Sequence, residues 1–437
     1  MKIDSLTRPN NWLCAIFIFD CAVMPVIKIL GLSVKISYGI AFVSILLMFI
    51  NSTYIKRVSY GGASTIVKSL IAYIGLLCFG EFWSIVFYGV PLQTGFFRIV
   101  IGCLLMIGSL TYGYRCNAQI GSIAYYCFVA NVVVNCILAL LGRAAPSFML
   151  KLYSLSVDTF MDGYYRNGGI IGNPNSSLLV TNIVLLLVVV LYKYDKIKLS
   201  NIKLASLYLL SVAADIIVSS RGELLHSAII LAYLTYLIIK KNNSFLKFFK
   251  KAVLIVFIIF FVVGLFWGTL VASYPNIQTS IDRMDSITDV FDSSSEGEDV
   301  NTIKRPFLRA NVFWQRFRHS PIWGTGIDGG GNISDFEKGT TGYHNDFFMI
   351  LGATGIAGLL LWIAIIRKAV KKVGICMLFP FVVTAISNTF VRSYFGTMLY
   401  FFIIGYVMCI RDKEEKREFE DNKVKTTSSR LVIENSR

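Results

Sequence analysis

Apolar runs of roughly 17 to 26 residues recur along most of this chain, and each is long enough to cross a hydrocarbon core of about 30 Å as a helix. Inside lipid the backbone has no water to bond, so a spanning chain must be helical or a closed barrel. Barrel strands would be shorter and would alternate apolar with polar residues, which these runs do not. Only 16% of the 437 residues are charged, against about 25% in soluble domains. The pattern predicts an all-α fold, a polytopic transmembrane helical bundle with about 12 spans. They fall near 12–31, 34–50, 65–90, 96–113, 121–141, 176–192, 204–220, 222–239, 252–271, 344–366, 373–390 and 395–410. Residues 1–410 then form the transmembrane domain. The remainder, 411–437, is dense in both signs of charge and is expected to be a disordered cytoplasmic tail. The first run carries Asp20 and Lys28 and lacks a small-residue cleavage site, so it reads as a retained span.

A net charge of +16 raises the question of nucleic acid, but the distribution excludes that reading. The basic residues concentrate in short loops between spans: Lys56 and Arg57; Arg115; Lys193, Lys196, Lys198 and Lys203; Lys240, Lys241, Lys247, Lys250 and Lys251; Arg367, Lys368, Lys371 and Lys372. With about 12 spans, all of these clusters fall on one side, which the orientation rule makes cytoplasmic, together with both termini. Of the 9 cysteines, all but Cys116 lie in apolar runs and none forms a CxxC, so no disulfide framework and no metal site are expected.

Two longer loops face outward, about 142–175 and 272–343. The second joins the ninth and tenth spans. Its first half is acidic; its second half holds Lys304, Arg305, Arg309, Arg316 and Arg318 with no acid between them. Residues 306–319, opened by Pro306 and closed by Pro321, read as a short amphipathic helix. Arg309 and Arg316 form one face; Phe307, Phe313, Trp314 and Phe317 form the other. Its guanidinium groups are planar forks suited to phosphate oxygens. They could equally contact lipid headgroups or the acidic half of the loop. His344 and Asn345 follow at the mouth of the tenth span, where an imidazole can take a proton from an alcohol. A helix-capping role is the alternative. In the earlier loop Arg166 precedes Asn173-Pro174-Asn175, a turn from which Asn175 or Ser176 can cap the sixth span, and the free N–H groups of a helix start attract anions. Arg221, in Ser220-Arg221-Gly222, lies at an outer junction of two spans, where it could bind an anion or snorkel. Asp20, Glu81, Arg98 and Asp215 fall at or near membrane depth, where unpaired charge costs several kcal/mol, and they favour a transporter.

In order along the chain, Arg166 with Asn173-Pro174-Asn175, Ser220-Arg221-Gly222, Arg309 and Trp314, Pro321 with Gly324 and Gly326, His344-Asn345 and Gly355 resemble the bacterial O-antigen polymerase and O-antigen ligase superfamily. The likeness covers roughly 160–360 and the plan of about 12 spans; the Arg309–Trp314 spacing is longer than the family pattern. The resemblance implies a metal-independent glycosyltransferase with no cofactor, in the bacterial plasma (inner) membrane. It would use a polyprenyl-pyrophosphate-linked oligosaccharide and invert the anomeric carbon. Arg221 and His344 would be catalytic. Arg166, Arg305, Arg309, Arg316, Asn173, Asn175 and Asn345 would bind substrate. Polymerase and ligase share this donor chemistry and stay unresolved, and the acceptor and any chain-length regulator are not legible. A flippase for the same lipid is the alternative of another class; the large loop and the absence of an inverted repeat oppose it.

Overall fold

A computed structural model of the chain describes residues 11–24, 27–29, 32–50, 63–89, 92, 94–116, 118–145, 174–218, 221–241, 314, 316–326, 346–382 and 394–434. Its helices are α1 (Asn11–Ala22), α2 (Ile36–Ile50), α3 (Ala63–Tyr88), α4 (Thr94–Arg115), α5 (Gly121–Ala144), α6 (Pro174–Lys193), α7 (Asn201–Val218), α8 (Arg221–Lys241), α9 (Asp346–Lys372) and α10 (Tyr394–Glu434). Among the described residues, 8 helices are long and apolar enough to cross a membrane. The protein is an all-α multi-pass membrane protein. Exposed apolar side chains such as Leu46, Phe82 and Phe87 then face lipid, where burial inside the protein is not required. The ninth expected span, 252–271, and most of both outer loops lie outside the described residues, as does the eleventh span beyond 382.

α6 and α10 are the two most enclosed spans. On α6 every residue from Ser177 to Leu191 is buried, because neighbours surround it: α5 and α8 on its flanks, α10 behind. α10 packs most extensively on α4. The seam depends on glycine. A methyl at Gly113 would stand 2.3 Å from the Phe402 carbonyl oxygen, and one at Gly405 only 2.1 Å from that of Leu110. Lipid gives no hydrophobic drive for two helices to associate, so close main-chain approach of this kind supplies dispersion instead.

The first expected span, 12–31, is corrected by the structure. α1 stops at Ala22, and a short antiparallel pair follows, β1 (Ile27–Ile29) against β2 (Leu32–Val34), with Ile27 opposite Val34 and Ile29 opposite Leu32. Pro25 removes a main-chain donor just after the helix end. The buried charges of the segment also need partners. Asp20 accepts from the Ser37 N–H at 2.8 Å, and the Lys35 ammonium donates to the Asp20 carbonyl at 2.7 Å while lying 3.9 Å from the Phe395 ring centroid. Asp20 and Lys35 thus answer each other across the turn between α1 and α2, and this depends on the chain reversing there.

The basic helix ends do gather at one face. The Lys193 ammonium and the Tyr194 hydroxyl both donate to the Val373 carbonyl, at 2.6 and 2.8 Å. Arg411 donates to the Lys372 carbonyl at 2.9 Å, and Tyr114 donates to the Asp412 carboxylate at 2.6 Å. The ends of α4, α6 and α9 therefore meet α10 in one layer. α10 also runs on through the segment expected to be disordered, to Glu434. Lys372–Glu415 at 3.4 Å and Lys196–Glu414 at 3.8 Å hold its first turn beyond the apolar stretch.

The Gly405→Leu variant is expected to lower the melting temperature in detergent markedly, since overpacking a tight seam costs about 1–3 kcal/mol or more. Gly75→Ala, where no atom lies within 4 Å of the added carbon, should leave it unchanged.

Candidate functional site

The end of the bundle opposite the basic layer carries the starts of α6, α8 and α9. Their shared direction follows from the basic layer, where Lys193 of α6 reaches Val373 just after α9, and from Lys241 of α8, which donates to the Tyr192 carbonyl of α6.

α9 is broken near that end. Gly355 has φ 63° and ψ −163°, a backbone region open only to glycine among the common residues. The break frees main-chain groups on both sides of it, and in hydrocarbon each must be satisfied. Residues 321–326 do so. The carbonyls of Gly352 and Ala353 accept from the N–H groups of Thr325 and Gly326, at 3.0 and 3.1 Å. The N–H groups of Ile356 and Ala357 donate to the carbonyls of Pro321 and Ile322, at 2.9 and 3.2 Å. The segment Pro321–Gly326 is therefore a strap laid across the break. Both strap glycines have φ +75°, and a methyl on Gly324 would stand 2.2 Å from the Ala353 carbonyl carbon. Gly326 lies against the buried Glu81 side chain, where an added methyl would sit 2.8 Å from the carboxyl carbon. Gly80 sits beneath the same strap, with a built Cβ 3.1 Å from the Ala353 carbonyl oxygen. The part of Gly355 is thus to break the helix. The Pro-x-x-Gly-x-Gly and Gly-x-x-Gly motifs are the two halves of one hydrogen-bonded joint.

A second polar layer ties α5, α6, α7 and α8 together. The Asn182 side-chain amide donates to both the main-chain carbonyl and the Oε2 of Glu223, at 3.0 and 3.1 Å. Glu223 Oε2 is also 3.1 Å from His226 Nδ1. Next along α8, Ser227 donates to the buried Asp215 carboxylate of α7. On the other side of α6, Thr181 donates to Asn131 Oδ1 at 2.5 Å, and Asn135 donates to both Asn131 Oδ1 and Thr181 Oγ1, at 3.1 and 3.2 Å. The buried charges expected at Asp20 and Asp215 are therefore each hydrogen-bonded inside the bundle. Arg98 is exposed, and its carbonyl accepts from the Tyr394 hydroxyl at 2.9 Å.

Three of the nine expected site residues fall among those described. Arg221 opens α8, two residues before Glu223. Asn175 is the second residue of α6 and is half-buried. Pro174 opens that helix, so Asn175 lies within its first turn and is not its cap, a correction that follows from proline's fitness for the first helical position. Arg316 is half-buried in a helical turn at 316–319 that ends on the strap, and the stacked Trp314 and Phe317 rings lie 5.2 Å apart. Arg221 and Asn175 thus stand at adjacent starts of parallel helices. His344 and Asn345 immediately precede the buried Asp346, which opens α9 at the same end. The placement of His344, Asn345, Arg166, Asn173, Arg305 and Arg309 lies outside the described residues. Sequence reasoning missed Asn182, Glu223 and His226. A glutamate and a histidine 3 apart in an apolar run, directly after Arg221, was the signal available.

Helices of this length and hydropathy, tied by buried polar side chains, define a membrane-embedded protein. Residues 206–363 match the family model described as O-antigen ligase, in agreement with the O-antigen polymerase and ligase superfamily that the motifs resemble. The matched segment contains Arg221, the strap and the break at Gly355. A search of curated proteins gives no match. The family match supports, at this coarse level, a function of the O-antigen ligase or polymerase type.

The Gly355→Ala variant is expected to lose folded yield and melt at a lower temperature, because its Cβ would stand 2.3 Å from the Ile322 carbonyl oxygen and the backbone region excludes it. Limited proteolysis should then cut at the strap, which the wild type protects.

Proposed function

We propose that this protein is a polysaccharide polymerase that transfers a glycan from polyprenyl pyrophosphate to a sugar hydroxyl on the outer face of the bacterial plasma membrane. The observation that carries the reading is the match of residues 206–363 to the O-antigen ligase family, a segment that begins before Arg221 and ends past the break at Gly355. As the anomeric C–O bond breaks, negative charge develops on the departing pyrophosphate. Preorganised donors in a site with little water stabilise such charge far better than they would in bulk solvent. Arg221 at the start of α8 is the first such donor, with Arg166, Arg305, Arg309 and Arg316 from the outer loops as further candidates and Asn173 and Asn175 at the neighbouring helix start. His344, with Asn345 beside it, takes the proton of the incoming hydroxyl. Attack opposite the leaving group inverts the anomeric carbon.

The strap supports this assignment. It holds the outer turns of α9, which His344 and Asn345 directly precede, by four main-chain hydrogen bonds to residues on either side of Gly355. A general base needs placement within about 3 Å of its proton. A helix end tied to the same loop that carries the arginines supplies a common frame for the two groups. The ligase reading, in which the acceptor is lipid A core or another surface molecule, uses the same donor-side residues and differs only in acceptor.

Reconstitution into liposomes with a polyprenyl-pyrophosphate oligosaccharide tests the proposal. New glycosidic bonds between repeat units are expected; elongation only of an added lipid A core acceptor selects the ligase. Movement of intact lipid across the bilayer without bond formation overturns both. Arg221→Ala and His344→Ala should each lower turnover by about 100-fold or more. Wild-type turnover in both would remove them from the mechanism.

A further inference from the structure

The start of α8 is tied to α6 at two points by one side chain. Asn182 gives one hydrogen to the Glu223 main-chain carbonyl and one to its carboxylate, at 3.0 and 3.1 Å. Asn182, Glu223 and His226 are all buried, at 2%, 1% and 0% exposure. A carboxylate at this depth costs several kcal/mol unless its bonds are satisfied, and here Oε2 is bonded while Oε1 has no hydrogen-bond partner among the described residues, so it is a costly way merely to fill space. Leucine would pack as well. Glu223 lies two residues after Arg221, and Asn182 lies seven residues, roughly 10 Å by helical rise, below Asn175. His226 braces the carboxylate from the next turn at 3.1 Å, and Ser227 fixes that same turn to Asp215 of α7.

We infer that Asn182 and Glu223, braced by His226, are positioning residues that lock the start of α8 in register with the start of α6. Arg221 thereby meets a lipid-linked diphosphate at a fixed height beside the Asn175 turn. The inference rests on the reading of Arg221 as a diphosphate-binding group. The tie is specific in a way that packing is not. It is made to the main chain of the turn bearing Arg221, and it fixes that turn's rotation about the helix axis as well as its depth. Slippage of α8 by one residue would turn Arg221 by about 100° away from its place.

A double-mutant cycle between positions 223 and 221 tests this, read as direct binding of polyprenyl pyrophosphate in nanodiscs and as separate donor and acceptor KM values in the transfer assay. Glu223→Leu is expected to weaken diphosphate binding and raise the donor KM by about 10-fold, with the acceptor KM unchanged. Glu223→Gln, which keeps an oxygen for Asn182, should recover most of the loss. In an Arg221→Ala background, Glu223→Leu should add less than about 2-fold, because the group it positions is gone. Full additivity in that background, or wild-type donor binding in folded Glu223→Leu protein, overturns the inference. Asn182→Ser carries the same cycle if Glu223→Leu does not fold. Wild-type protein that binds no lipid diphosphate would overturn the functional reading itself, and the positioning role with it.

Discussion

A polar group buried in this bundle can find a partner only inside the protein, because the surrounding hydrocarbon offers none. That constraint accounts for the features that distinguish the chain from a plain stack of apolar helices. Asp20 and Lys35 answer each other across a chain reversal. Asn131, Asn135 and Thr181 close a small amide and hydroxyl network between α5 and α6. The break at Gly355 is tolerated because the strap from Pro321 to Gly326 takes up the main-chain groups it frees. In each case the polar atoms decide which elements meet, while the apolar side chains around them set how closely.

The two ends of the bundle use polarity differently. At one end lysines, tyrosines and the acidic turn of α10 form an open layer of ion pairs and carbonyl contacts, among them Lys372–Glu415 with side chains 20% and 54% exposed. Pairs of that kind are worth little singly, and their effect is to fix orientation more than to stabilise. At the other end the polar groups are sunk below the rim and paired by short hydrogen bonds, as in Asn182–Glu223–His226. Buried networks of this type specify one arrangement, since a slipped helix leaves several groups unpaired at once.

Much of the plan was legible in the sequence because length and hydropathy report directly on the medium. α3 to α8 follow the expected spans closely, and basic residues at helix ends marked one end layer of the bundle. The first span failed because its apolar run holds Pro25 just past the helix end and Asp20 is bonded by Ser37 and Lys35 of the next segment, so composition alone extended a helix that stops at Ala22. The charged tail failed for the opposite reason. Its first turn is captured by Lys196 and Lys372, contacts across more than 40 residues that no local reading registers. The site was half legible. Motifs flagged Arg221 and the strap glycines, because glycine at fixed spacing signals close backbone approach. Asn182 and Glu223 stayed invisible: their bond joins residues 41 apart, and each alone reads as an ordinary polar interruption of a span.

The crossing of strap and broken helix is, in mechanical language, a lap joint. The outward turns of α9 hand the carbonyls of Gly352 and Ala353 to the strap, and the inward turns take Pro321 and Ile322 from it. Load therefore passes between the two halves of the helix partly through a loop instead of wholly along a continuous rod. A pull on the strap therefore reaches the turns between Asp346 and Gly355 through the bonds to Gly352 and Ala353, and the turns after the break through the bonds from Ile356 and Ala357.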